Sequence, residues 1–155
     1  MAHSRIFELS KAPLERREWA VADDIAGSGF VGDVADYTRD LNEVERQESI
    51  EALRALGEGA FDIVQEGQFL KLALRPQGRE RYFADRFNAL ASLVSSLTID
   101  GFCNSATAWK MQELIEQKRT FYVSEDGWYQ TLDSFMRTWS VGEEYYIGAA
   151  IDYHM

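Results

Sequence analysis

Phe61-Asp62-Ile63-Val64-Gln65-Glu66-Gly67-Gln68-Phe69-Leu70-Lys71-Leu72-Ala73-Leu74 is the stretch whose reading decides the fold. Two apolar runs, 61–65 and 69–74, flank a short loop that holds a glycine, the pattern of a β-hairpin. A hairpin is antiparallel by construction, so part of the sheet must be antiparallel. Pro76 then ends the second strand and opens the longest helix, over about 77–97. Its apolar stripe is Phe83, Phe87, Leu90, Val94 and Leu97, at steps of 4, 3, 4 and 3, widened by Tyr82, Ala89 and Leu93. A stripe this wide predicts the central helix of the domain.

Toward the N-terminus, Arg5 to Ser10 and Glu18 to Ala22 are expected as short strands. Gly27 to Gly32 reads as a loop, because its three glycines favour unusual backbone angles. Asp33 to Leu41 is expected as a short helix and Glu43 to Leu56 as a longer one, stopped by Gly57 and Gly59. Toward the C-terminus, Asn104 or Ser105 can cap a helix running to about Lys118 that buries Ala108, Met111, Leu114 and Ile115. Thr120 to Val123 is expected as a strand. Trp128, Leu132, Phe135 and Trp139 predict an amphipathic helix over 128–139, with Asp126 as its cap. Tyr145, Ile147, Ala149, Ile151 and Tyr153 alternate with Tyr146, Gly148, Ala150 and Asp152, which predicts a closing strand of period two. The expectation is an α+β fold over 1–155 as one domain. A small, mostly antiparallel sheet packs against the long central helix (about 77–97) and two or three further helices.

Composition narrows the function classes. The chain has 155 residues, 46% of them apolar, enough for a core without a disulfide or a metal. Its net charge of −10 argues against direct nucleic-acid binding and against an anionic membrane surface. Cys103 is the only cysteine, so it forms no internal disulfide and no structural zinc site. No run approaches the length of a membrane span, and Met1 to Leu9 lacks the plan of a signal peptide. A reducing cytoplasm is the expected compartment. The acidity is uneven: residues 1–60 hold 13 acids and 7 bases, 61–100 hold 5 of each, and 101–155 hold 8 acids and 4 bases.

Several patterns suggest chemistry. Gly27-Ser28-Gly29-Phe30-Val31-Gly32 matches the dinucleotide-binding GxGxxG literally. Asp23, Asp24 and Asp33 crowd it with carboxylates that would repel a pyrophosphate, so an acidic loop is the plainer assignment and no cofactor is expected. Asp33, Asp36, Asp40 and Glu43 are spaced 3, 4 and 3 and share one face if helical, with Glu48 and Glu51 continuing the acidity. Such a ridge does not converge on one point, so it is no metal site. Its plainer assignment is a solvated face whose field Arg39, Arg46 and Arg54 soften; it also suits mimicry of a nucleic-acid backbone, whose phosphates lie about 3.4 Å apart along each strand. His3 and His154 lie at opposite ends of the chain, where pairing of the end strands can bring them together. Cys103, just before a helix, reads as a small buried apolar residue. GxSxG, HExxH, Walker A and paired CxxC motifs are absent, so no catalytic residue is assigned. Among the late aromatics, Tyr122, Tyr129 and Tyr146 are the candidates for an exposed contact surface.

Val34-Ala35-Asp36-Tyr37, within residues 32–41, resembles the ADY segment followed by acids in ArdA-type antirestriction proteins. Those are small acidic proteins of mobile elements that mimic DNA and occupy the DNA site of restriction enzymes. The resemblance covers about ten of the 155 residues and implies that Asp33, Asp36, Asp40 and Glu43 lie on a functional surface. The expected function is therefore an acidic interaction protein. It occupies the basic groove of a nucleic-acid-binding protein through Asp33, Asp36, Tyr37, Asp40, Glu43, Glu48 and Glu51, with Tyr37 as an aromatic anchor. Two alternatives stand beside it. One is a small-molecule-binding domain or small enzyme with the Gly27–Gly32 loop at its pocket. The other is an oligomeric structural subunit, for example a homodimer.

Overall fold

The computed structural model describes residues 3–117 and 121–155. The expected helix end at Lys118 and strand start at Thr120 lie outside the described residues. Seven strands form one sheet: β1 (His3–Ser10), β2 (Tyr37–Asp40), β3 (Phe61–Glu66), β4 (Phe69–Leu74), β5 (Tyr122–Glu125), β6 (Trp128–Thr131) and β7 (Glu144–His154). Their order is β3-β4-β7-β1-β5-β6, and β2 also pairs with β7. The β3–β4 hairpin forms as its sequence predicts, from Phe61 opposite Leu74 to Glu66 opposite Phe69. Only β1–β5 pairs in parallel among the described strands, so the fold is α+β with a mostly antiparallel sheet.

β7 is the axis of this sheet. Along one edge it pairs with β1. Along the other it pairs first with β4, over Glu144–Ile147, and then with β2, over Ile151–His154. Its alternation is interrupted by a bulge, since Phe7 faces Ala150 while Leu9 faces Ile147. The extra residue flips the strand. Tyr145 and Ile147 therefore point into one core, with Phe7, Leu9, Ile50, Leu53, Phe61, Phe135 and Trp139. Ala149, Ile151 and Tyr153 point into a second core, with Ile6, Ile25 and Phe30. The first core lies under α3 (Glu43–Leu56) and α7 (Leu132–Thr138), the second under α1 (Ala22–Ala26) and α2 (Phe30–Asp33).

Four expectations are corrected. Residues 18–22 are not a strand, because the Glu15 and Val21 amides donate to the carboxylates of Glu18 (2.8 Å) and Asp24 (3.0 Å) and open successive helical turns. Residues 33–41 are not a helix, because Tyr37–Asp40 adds to the open edge of β7. Asp126 does not cap a helix. With Gly127 it turns a hairpin at φ of 49° and 81°, the left-handed pair that a two-residue β-turn requires. Trp128 consequently lies 80% exposed on β6, and the helix starts only at Leu132, capped by the Thr131 hydroxyl. Finally α4 (Gly78–Ser95) is long but not central. Beyond it come α5 (Ile99–Phe102) and α6 (Ser105–Ile115), and no residue from 87 to 115 is buried, including Ala108, Met111, Leu114 and Ile115.

Candidate functional site

α1, α2 and β2 form a thin acidic layer over the second core. Ala22, Ile25, Phe30 and Ala35 are its buried side. Asp23, Asp24, Asp33, Asp36 and Asp40 stay exposed. Thr38 and Asp40 tie β2 to α1, the Thr38 hydroxyl donating to the Ala22 carbonyl (3.1 Å) and the Ala22 amide to Asp40 (2.8 Å). Among the described residues no Lys or Arg forms an ion pair with any of these five carboxylates. Arg39, the one cation between Arg17 and Arg46, turns away and grips Glu45 through two bonds of 3.1 and 3.0 Å. Those bonds hold the Glu45 carboxyl below its ordinary range.

The predicted ridge is divided by the sheet. Asp33 and Asp36 belong to the acidic layer. Glu43, Glu48 and Glu51 belong to α3, over the opposite core, because the chain changes faces at Leu41 and Asn42. On α3, Glu43 pairs with Arg16 at 2.9 Å and Glu51 with Arg54, while Glu48 remains exposed. A helix through 33–43 would have aligned these groups; a strand and a crossing do not.

Strand pairing brings the two histidines together across β1 and β7. Two rows of side chains result: His3, His154 and Tyr37, then Arg5, Asp152 and Arg39. Asp152 is 1% exposed, accepts from His3 Nδ1 at 3.0 Å and from Arg5, and has Arg39 at 3.7 Å. Arg5 also donates to the Ser49 hydroxyl (2.9 Å) on α3. His154 is buried, stacks on Tyr37 at 5.0 Å and meets His3 edge-on at 4.9 Å. Its ring nitrogens make no hydrogen bond among the described residues, although Asp36 lies 3.7 Å away. Tyr37 therefore covers His154 while remaining exposed itself.

A third polar feature closes the gap between β4 and β2. The β7 carbonyl of Gly148 faces neither strand, and Arg46 supplies the donors from Nε (3.2 Å) and Nη2 (2.8 Å). Its guanidinium lies 4.2 Å over the Trp19 ring. On the other side of that peptide, the amides of Ala149 and Ala20 both donate to Glu8, at 2.9 and 3.0 Å. Trp19 and Arg46, with Arg16, Arg54, Gln65 and Phe69, line a groove of about 450 Å³. Arg46→Lys should lower stability by about 1–3 kcal/mol in a urea melt, since an ammonium cannot supply the same forked donor to a buried carbonyl.

No family model, curated protein or solved structure matches the chain.

The arrangement itself limits the chemistry. A carboxylate that steers an imidazole is half of a general-base device, and His3 Nε2 has no partner among the described residues. The Gly27–Gly32 loop follows a helix rather than a strand, which is not the setting of a dinucleotide fingerprint. It lines none of the grooves over Trp19, Arg75, Tyr122, Phe121 or Asp40. No cluster of three metal-ligating side chains exists among the described residues. Among the same residues no helix is long and apolar enough to cross a membrane. Tyr122 and Tyr129 are half-buried against Phe30, and Tyr146 is half-buried beside Phe69, so the exposed late aromatic is Trp128 instead. Cys103 is exposed rather than buried.

Two groups escaped the sequence reading. Arg46 occupies an apolar position of α3, four and seven residues before Ile50 and Leu53. Asp152 is a charged residue between Ile151 and Tyr153 in a mostly apolar strand. The spacing of Arg46 with Ile50 and Leu53 was the available signal for the first; Asp152 lies in the set expected on the polar side of the strand, so the alternation gave no signal for it.

Proposed function

We propose that this chain is an acidic interaction protein whose α1–α2–β2 layer docks on a basic surface of a nucleic-acid-handling partner. The observation that supports it is the set of five exposed carboxylates with no Lys or Arg counter-ion among the described residues, on a layer anchored to the core by Ile25 and Phe30. Unpaired charge on an ordered surface steers association and loses its effect as salt rises. Occupation of a groove that otherwise holds DNA or RNA is the mechanism. Restriction enzymes are the target class that the ArdA-type resemblance implies, and an anti-defence role in the cytoplasm would follow from it.

The test uses Asp23→Lys/Asp33→Lys/Asp36→Lys, three exposed positions outside the hydrogen bonds that hold β2 to α1. Basic proteins retained by the immobilised wild-type chain at low salt should be released by moderate salt and by added duplex DNA. The triple variant should bind them at least tenfold more weakly, which corresponds to about 1.4 kcal/mol. Equal retention by the variant, or indifference to DNA, would exclude this reading.

A further inference from the structure

The helical arm formed by α4, α5 and α6 has an apolar face that the rest of the chain leaves open. α4 touches the body through its first two turns. Arg79 donates to the Met136 carbonyl (3.2 Å), Tyr82 and Phe83 pack on the first core, and Arg86 pairs with Asp133. The far end of α6 returns to the same place, where the Gln117 amide donates to Asp133 (3.2 Å) and Arg137, stacked on Phe83, donates to the Ile115 carbonyl. α4 and α6 therefore run antiparallel, with α5 at the tip.

Each helix carries two seams. Leu90 and Leu93 on α4, Leu97 just beyond its end, and Thr107, Met111 and Leu114 on α6 are half-buried, and the two helices pack against each other. One residue further round lie Phe87, Ala91 and Val94 on α4, and Ala108, Gln112 and Ile115 on α6, all exposed. A step of one residue is about 100° about a helix axis. In an antiparallel pair the two steps turn toward the same side, so the second seams form one face two helices wide. A hairpin needs one seam per helix; a four-helix bundle needs both.

We propose that this face joins two copies of the chain, the two arms forming a four-helix bundle. Area supports it. Phe87, Val94 and Ile115 on this face are 69, 51 and 52% exposed, and Ile99 and Phe102 at the tip of the arm are 75 and 63% exposed. Together they offer on the order of 600 Å² of accessible surface, the top of the roughly 300–600 Å² of the largest apolar patch of a typical monomer and close to the about 800 Å² per partner of a standard interface. Charge selects the occupant. Between 87 and 115 the only acids are Asp100 and Glu113 and the only base is Lys110, whereas the whole chain carries −10. Two copies of an acidic chain meet with least repulsion across this nearly neutral face, and a basic partner finds few carboxylates on it. Closed two-fold dimers are also the commonest solution for a self-complementary patch.

Sedimentation equilibrium of the full chain at micromolar concentration should give twice the chain mass. Phe87→Glu/Val94→Glu, at two exposed positions, should give the monomer mass with unchanged circular dichroism. Trp128→Glu, on the edge strand β6, should remain dimeric. A monomeric wild type, a double variant that stays dimeric, or a Trp128→Glu chain that dissociates would each overturn the proposal. So would a monomeric wild type that binds lipid vesicles, which would give the face to a membrane surface. These outcomes are independent of the acidic layer, because neither Phe87 nor Val94 belongs to it.

Discussion

Asp133→Ala is expected to lower the stability of the fold by about 3–5 kcal/mol, the usual cost of removing one partner from a buried ion pair. For a chain of this length that is a fall of roughly 6–20 °C in Tm. Asp133 is 0% exposed. Its oxygens accept from Arg86 at 2.6 and 2.7 Å, from the Tyr82 hydroxyl at 2.9 Å and from the Gln117 amide at 3.2 Å. It is thus the knot at which α4, the end of α6 and α7 meet. Truncation leaves a guanidinium, a hydroxyl and an amide without an acceptor in a poorly hydrated site. Asp133→Leu/Arg86→Met should recover part of the loss, because it removes the orphaned guanidinium, while the Tyr82 hydroxyl and the Gln117 amide still lack their acceptor. A loss below 1 kcal/mol for Asp133→Ala would mean that water takes over the knot. Burial pushes the Asp133 carboxyl up, but the Arg86 bonds, the Gln117 amide and the Tyr82 hydroxyl together outweigh it and hold the group below its ordinary 3.8. A carboxyl lowered by folding stabilises at pH above its unfolded value. That contribution should fade in acid, as the pH drops from about 3.8 through the lower folded value, and should be missing from the pH profile of the variant.

The second large effect is expected from one methyl group. Gly78 is buried as the first residue of α4, and a Cβ there would lie 2.0 Å from the Ala60 carbonyl oxygen and 2.9 Å from Leu74 Cδ1. That carbonyl has little room to retreat. It accepts from the Arg75 amide (2.9 Å), and the Ala60 amide is itself held by the Gly57 carbonyl (2.8 Å). Overpacking costs about 1–3 kcal/mol when side chains give way, and a backbone oxygen gives way less readily. Gly78→Ala should therefore cost about 3 kcal/mol or more in a denaturant melt. Gly101→Ala is the control: its Cβ meets nothing closer than Thr98 Oγ1 at 3.4 Å, and it should change stability by less than about 1 kcal/mol. Equal effects at the two positions would show that α4 can slide away from the hairpin.

Local pattern carried much of the fold. The β3–β4 hairpin, α3 and the strand after Glu144 follow from hydrophobic period and punctuation over a few neighbouring residues. Failures occurred where distant chain decided. Tyr37-Thr38-Arg39-Asp40 lies within Asp33, Asp36, Asp40 and Glu43, acids at helix-compatible steps of three and four, yet it is a strand because β7 offers an unpaired edge. Asp126-Gly127 was legible and was misjudged: the dipeptide is a strong hairpin signal, and the periodicity of Trp128 with Leu132 outweighed it. β7 was legible as a strand but not in its faces, since the bulge opposite Glu8 puts Tyr145 and Tyr153 in different cores. The acidic layer was visible as composition. Its separation from Glu48 and Glu51 was not, because no local signal tells on which face of a sheet a crossing chain lands.

The position of β7 has a kinetic consequence. Its partners come from residues 3–10, 37–40 and 69–74, and His3 and Asp152, 149 positions apart, bond across it. Before β7 is in place, β3–β4 can close as a hairpin, but β2 and β4 have no strand between them and β1. Folding should be slow for a chain of this length, dominated by the loop-closure entropy of distant pairing. Amides of β7 and the facing half of β1 should then be the slowest to exchange with deuterium. The early-closing hairpin, by contrast, should acquire protection first and lose it sooner.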